Sequence, residues 1–439
     1  MKLKGKDFVL GFQHLFAMFG ATVLVPVLTG LSVSSTLLFA GVGTLLFHLL
    51  TGRKVPVFLG SSFAFLGGYF AIAEVCKNAG IANFSAYAGV GVACAGLVYV
   101  VIAILFKIFG AGKVMRFFPP VVTGPIIIAI GLTLSSTAIS NCAANWIIAL
   151  VAIAVVIVCN IWGKGMIKII PILLGVVASY LVAICMGQID FTAVKDAAWI
   201  GLPIATLDET SFSLFKSCNT SVLITSIITI MPIALATIIE HIGDISAVSS
   251  TVGKNFIANP GLHRTLLGDG IATALAALFG APANTTYGEN TGVLALTKVY
   301  DPRVIRIAAC FAILLSFSPK FAAIVSAMPA ATMGGISLVL YGMISAVGVR
   351  NMVENQVDFS KSRNIIIAAL ILVIAIGVKF GTGEAEAVVF HISKATISLS
   401  GLAVAAVVGI LLNAVLPGKD YVFKEDEDKG INTGVSFKV

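Results

Sequence analysis

Charge is what this 439-residue chain lacks most. Asp, Glu, Lys and Arg together make up 11% of it and hydrophobic residues 58%. An ordinary soluble domain carries about a quarter charged residues. So few charged groups could not cover the surface of a water-soluble fold, and lipid is the solvent that accepts such a composition. Paired cysteines are missing too. Cys76, Cys94, Cys142, Cys159, Cys185, Cys218 and Cys310 are scattered, with no Cys-x-x-Cys pair, and read as small apolar packing residues. No His-Glu-x-x-His, no nucleotide-binding Gly-Lys loop and no His/Cys metal cluster is present, which argues against a metalloenzyme and against ATP-driven pumping.

What the chain has in plenty is long apolar runs. The runs between charged or Gly/Pro breaks mark candidate spans at 8–29, 33–50, 56–73, 85–106, 118–138, 144–162, 168–187, 221–242, 265–281, 285–297, 304–326, 329–348, 364–382 and 395–416. The expected fold class is therefore an all-α polytopic membrane protein with fourteen transmembrane segments. The basic start of the chain precedes an apolar run without an Ala-x-Ala-like site, so the first run reads as a retained span and not a cleaved signal.

The basic residues test this count. With the N-terminus in the cytoplasm, inside segments hold 22 of the 28 Lys and Arg residues and outside segments hold 6. Excess Lys and Arg marks cytoplasmic loops, and a wrong span count would scramble the alternation. Both termini are expected in the cytoplasm of a cell inner-membrane protein. The net charge of +8 then reflects topology and not a nucleic-acid surface. The tail carrying Glu425 to Asp428 reads as a solvated, disordered end.

Two spans are interrupted by polar and small residues, at Gly60-Ser61-Ser62-Phe63-Ala64-Phe65 and at Asn284-Thr285-Thr286-Tyr287-Gly288-Glu289-Asn290. Each places two hydroxyl residues before an aromatic and a small residue, and each falls third in a run of seven. A weaker echo, Pro119 to Gly124 against Pro329 to Gly334, falls fifth in each run. Seven is odd, so two such repeats have opposite orientation, a 7+7 inverted repeat. Breaks in a helix expose backbone groups that lipid cannot satisfy. Interrupted spans at matching places in two halves therefore point to a substrate site inside the protein.

Acids inside spans are few, and each costs at least roughly 2.5–3.5 kcal/mol to insert. Glu240 and Asp244, four apart and so on one helical face, lie in the eighth span. Glu289 lies in the broken tenth. Asp269 falls near the start of the ninth and is expected close to the cytoplasmic surface. Glu240 and Glu289 offer acceptors, the freed N–H groups near Phe63 and Gly288 offer donors, and Phe63 and Tyr287 offer flat faces. That set suits a small planar heterocycle with N–H and C=O edges. Two neighbouring carboxyls resist ionising together, so one can hold a coupled proton. His14 and His241 are weaker candidates, and Tyr341 either closes the site or packs in the interior.

The stretch from Asn284 to Lys298 resembles the signature of the nucleobase–ascorbate transporter family. Gln13 to Gly20, Gly60 to Phe65 and Glu240-His241 resemble its bacterial uracil-transporting members. The resemblance implies import of uracil coupled to protons, with no cofactor beyond the proton itself, by a homodimer in the lipid bilayer. It implies a core domain from 1–110 and 221–328, a gate domain from 111–190 and 329–418, an external loop over 191–220 and a cytoplasmic tail over 419–439. Implied substrate contacts are Ser62, Phe63, Glu240, Tyr287, Gly288, Glu289 and Tyr341; implied proton carriers are Glu240, Asp244 and Glu289. Asp244 departs from the pattern, since the related permeases carry His there. Alternatives are a purine permease of the same family (xanthine or guanine), an anion exchanger on a similar repeat, and an intramembrane enzyme, for which no nucleophile–base pair is in view.

Overall fold

The computed structural model describes residues 5–204, 207–383, 387–392, 395–419 and 421. The side chains of Lys6, Glu289 and residues 390–398 lie outside that description, as does the acidic tail from Glu425 to Asp428. The described chain is predominantly helical. In chain order the main elements are α1 (Gly5–Thr29), α2 (Val33–Leu50), β1 (Leu59–Ser61), α3 (Leu66–Asn78) and α4 (Phe84–Phe109). Next come α5 (Pro120–Ala143), α6 (Trp146–Ile161), α7 (Pro171–Cys185), α8 (Thr220–Ile230), α9 (Ile233–Val252) and α10 (Leu262–Leu278). The remainder are β2 (Asn284–Thr286), α11 (Gly288–Thr297), α12 (Pro302–Ser316), α13 (Pro319–Ser326), α14 (Ala330–Glu354), α15 (Ser362–Gly381), β3 (Ala387–Ile392), β4 (Ala395–Ser400) and α16 (Gly401–Val415). A 3₁₀ turn, Phe63–Phe65, leads into α3.

Local chemistry sets the helix ends. Asn145, Asn219 and Ser318 each accept hydrogen bonds from the first-turn amides of α6, α8 and α13. Asp301 caps α12 and is clamped by the Arg303 guanidinium, whose hydrogen bonds hold its carboxyl below the usual carboxylate range. Gly253 closes α9 in the left-handed region at φ 71°, where a residue with a Cβ is strained.

Among the described residues, seven helical segments are long and apolar enough to cross a membrane, or eight if the bent pair α12–α13 counts as one. Large apolar side chains point outward along them, such as Leu97, Val101 and Ile108 on α4 and Ile147, Leu150 and Ile161 on α6. A surface of that kind is an aggregation liability in water and the expected surface in hydrocarbon.

The helices pack in two groups. In the first, α10 lies on α4 and α2, and α12 on α2 and α1. In the second, α14 lies along α5 and α6, α15 along α5 and α16, and α7 along α6. The two broken segments meet at the centre. β1 pairs antiparallel with β2 in the register Leu59 to Thr286, Gly60 to Thr285 and Ser61 to Asn284. The amide of Ser62 extends the ladder by donating to the Ala283 carbonyl at 2.9 Å. The exposed backbone of each break is thereby satisfied by the other.

Three expectations need correction. The run 304–326 is not one straight span, because α12 and α13 meet at 90° around the Ser318 cap and Pro319. The run 395–416 begins as strand β4, paired antiparallel with β3, and only Gly401 onward is helix. Asp269 is not near the surface. It lies midway along α10, fully buried, because that helix starts at Leu262, before the apolar run begins.

Candidate functional site

A cavity of about 230 Å³ opens beside the paired strands. Its walls come from both helix groups: the breaks and α9 on one side, α5 and α14 on the other. Phe63 and Gly288 line it, each at the N-terminal end of a half-helix where N–H groups have no partner within the helix. Ser62 and Tyr287 line it as well. The Ser62 hydroxyl is buried with no hydrogen-bond partner among the described residues.

α9 supplies the acids. Glu240 is half-buried and Asp244 buried, and both line the cavity from one face of the helix. Gly288 lies close to Asp244, since a Cβ built there would stand 3.3 Å from an Asp244 carboxylate oxygen. Glu289 is the second residue of α11, and where its side chain points lies outside the described structure.

Behind this wall runs a buried polar chain that the sequence did not suggest. The Thr286 hydroxyl donates to Asp244 at 3.0 Å. The His241 Nδ1 lies 2.7 Å from an Asp269 carboxylate oxygen and 3.3 Å from the Thr286 hydroxyl. Asp244, Thr286, His241 and Asp269 therefore form one continuous series linking α9, β2 and α10. Asp269 fits because Gly268 and Gly270 flank it: a Cβ at Gly270 would stand 2.4 Å from the Tyr99 side chain. Helices α2 and α4 can thus pack tightly on α10. The Gly-Asp-Gly triplet, at Gly268 to Gly270, was the available signal.

The remaining candidates separate clearly. His241 faces away from the cavity, toward Asp269 and the rings of Phe47 and Tyr99. His14 is 2.9 Å from the side-chain oxygen of Asn290, whose amide donates to the Pro56 carbonyl; this ties α1 to α11 and to the chain before β1. Tyr341 is buried and packs edge-on against Phe63 at 5.7 Å between centroids, and its hydroxyl has no hydrogen-bond partner among the described residues. It supports Phe63 from behind rather than lining the cavity. The Tyr287 hydroxyl donates to the Ser61 carbonyl at 3.0 Å, which lays its ring across Gly60. At the open end, Arg350 and Glu354 on α14 form an ion pair at 2.6 Å.

A family described as the permease family matches residues 5–384. The uracil permease of Bacillus caldolyticus is 41% identical, with 96% of each chain covered. The uracil permease of Escherichia coli (strain K12) is 38% identical over 92% of this chain and 90% of its own. A putative pyrimidine permease of the same organism is 38% identical over 94% of this chain and 89% of its own. Among solved structures, the transmembrane domain of the cyanobacterial bicarbonate transporter BicA superposes with a TM-score of 0.59 at 16% identity, covering 93% of this chain and 97% of that one. SLC26A9 gives 0.61 at 11% identity, covering 93% of this chain and 64% of that one. At such identities the likeness concerns fold alone.

Proposed function

The chain belongs to the nucleobase–ascorbate transporter family, and on that premise we propose that it imports uracil across the cytoplasmic membrane by alternating access, driven by a coupled proton. It is a permease and not an enzyme, and it is a multi-pass protein of the inner membrane. The observation that carries the reading is the cavity in which Glu240 and Asp244 face the half-helix ends at Phe63 and Gly288. Carboxylates there accept from ring N–H groups, and the helix-end amides donate to ring carbonyls. The same acids repel an anion, so the shared fold with anion transporters does not extend to their cargo.

The chain has fourteen spans in this proposal, the third and tenth broken at β1 and β2. Its support is the pairwise symmetry of the packing. The contact of α2 with α12 is matched by α10 with α4, that of α6 with α7 by α15 with α16, and that of α14 with α6 by α5 with α15. Each pair maps onto its match when every span number advances by seven, as an inverted repeat requires. The first group is then the core and the second the gate, with both termini cytoplasmic and two copies forming the dimer that the family resemblance implies. Glu289 reads the ring beside Gly288, and the proton resides among Glu240, Asp244 and Glu289.

Uptake of labelled uracil into vesicles under an inward proton gradient tests this. Glu240→Gln and Glu289→Gln each lower uptake roughly a hundredfold, the loss expected for a charge-assisted hydrogen bond. Full accumulation by both variants overturns the site. Displacement of label by xanthine or guanine better than by unlabelled uracil would assign a purine instead.

A further inference from the structure

A second cavity, of about 340 Å³, lies across the same two helix groups at the opposite end of the molecule. Its position follows from the helices that serve both cavities. On α5, Ile127 lines the first cavity and Thr133 and Thr137 the second. The α8–α9 pair contributes Glu240 and Ala247 to the first, and Thr229 and Ile233 to the second. The 3₁₀ turn divides them, with Phe63 facing one and Ala64 the other. The first cavity opens at the end of α14 that carries Arg350, which the basic-residue count assigns to the cytoplasm. The second therefore opens outward.

The outer cavity is equipped for a polar guest. Glu74 on α3 is exposed at its mouth, and Lys379 on α15 faces it from the other helix group. At its inner end Thr229 is 3% exposed, and its hydroxyl has no hydrogen-bond partner among the described residues. A buried hydroxyl left unpaired destabilises its surroundings, and a ligand supplying the missing partner removes that cost. Thr133, Thr137 and Ser400 add further hydroxyls to an otherwise apolar wall.

The geometry points to the outer cavity as a second binding site, for a neutral nucleobase on its way in from the external side. The inference rests on the uracil reading of the inner site. Glu74 accepts from a ring N–H, Lys379 donates to a ring carbonyl, and the Thr229 hydroxyl pairs with the edge that enters first. Passage from this site to Glu240 requires the Phe63–Tyr341 contact, which joins the two groups, to part. The outer site thus holds substrate outside that contact until the groups move apart.

Equilibrium binding of labelled uracil to the purified full-length protein tests this. The wild type shows two classes of site per chain, one tight and one weaker. Thr229→Val and Glu74→Gln each weaken the second class about fivefold, the loss of one hydrogen bond, and leave the tight class unchanged. Glu240→Gln removes the tight class while the weaker one persists. A single class in the wild type that Glu240→Gln abolishes overturns the outer site and leaves the uracil reading intact. Two classes in which neither outer variant alters the weaker one also overturn the assignment. Absence of uracil binding by the folded wild type overturns the uracil reading itself.

Discussion

Asp244 holds the Thr286 hydroxyl from inside the cavity, and Asp269 holds His241 from outside it. These two acids perform different work and fail differently when replaced. Asn at position 244 still accepts the Thr286 hydroxyl but cannot take up and release a proton. Asp244→Asn is therefore expected to bind uracil within a few-fold of wild type while uptake loses its dependence on external pH. If instead uptake by this variant still falls as external pH rises, the coupled proton belongs to Glu240 or Glu289. Asp269→Leu removes the carboxylate 2.7 Å from His241 and leaves the buried Nδ1 only the Thr286 hydroxyl at 3.3 Å. Breaking a buried pair from one side costs about 3 kcal/mol, to be read as a lower thermal midpoint of the purified protein. An unchanged midpoint would place water or another acceptor at His241. Asp244 was visible in the sequence because it stands one turn from Glu240. Asp269 was visible only as a residue; its depth depended on where α10 begins, which the apolar run placed too late.

At the scale of elements, the two broken spans are held by backbone pairing and by close approach at glycines. Gly60 is covered by the Tyr287 ring, and a Cβ there would stand 2.4 Å from it. Gly60→Ala must therefore push β1 from β2 or turn Tyr287 away from Ser61, and a loss of both thermal stability and uptake is expected. Gly288 differs. It starts α11 without a positive φ, and the nearest atom to an added Cβ is the Asp244 carboxylate at 3.3 Å. Gly288→Ala should keep stability within about 1 kcal/mol, since Ala favours a helix, and should weaken uracil binding by crowding that carboxylate. A stability loss as large for Gly288→Ala as for Gly60→Ala would contradict the distinction. The breaks were legible because hydroxyl and small residues interrupt apolar runs. The β3–β4 hairpin was also legible, since Ala395 to Ser400 alternates apolar and hydroxyl residues with the period of a strand, but the span was drawn through it into the apolar run from Gly401. The bend between α12 and α13 did carry a signal, since Ser318-Pro319-Lys320 is a polar, proline-bearing break that the run 304–326 was drawn across.

At the scale of the whole molecule, orientation rests on the uneven distribution of 28 basic residues, and it sets the sense of both cavities. With the N-terminus inside, the segment before α8 faces outward, and Cys218 is exposed upon it. Cys76 and Cys142 are buried, and Cys94 and Cys159 lie in the apolar helices α4 and α7's neighbour α6. Cys185 and Cys310 are exposed as well, the first at the end of α7 and the second on α12. A charged, membrane-impermeant maleimide should therefore label intact cells at Cys218, and Cys218→Ser should remove that part of the label. Inverted vesicles should protect Cys218 from the same reagent. Cys218 reacting in inverted vesicles and not in intact cells would reverse the topology. It would also exchange the roles of the two cavities, since the one beside Glu240 would then open to the outside and the one beside Glu74 to the cytoplasm.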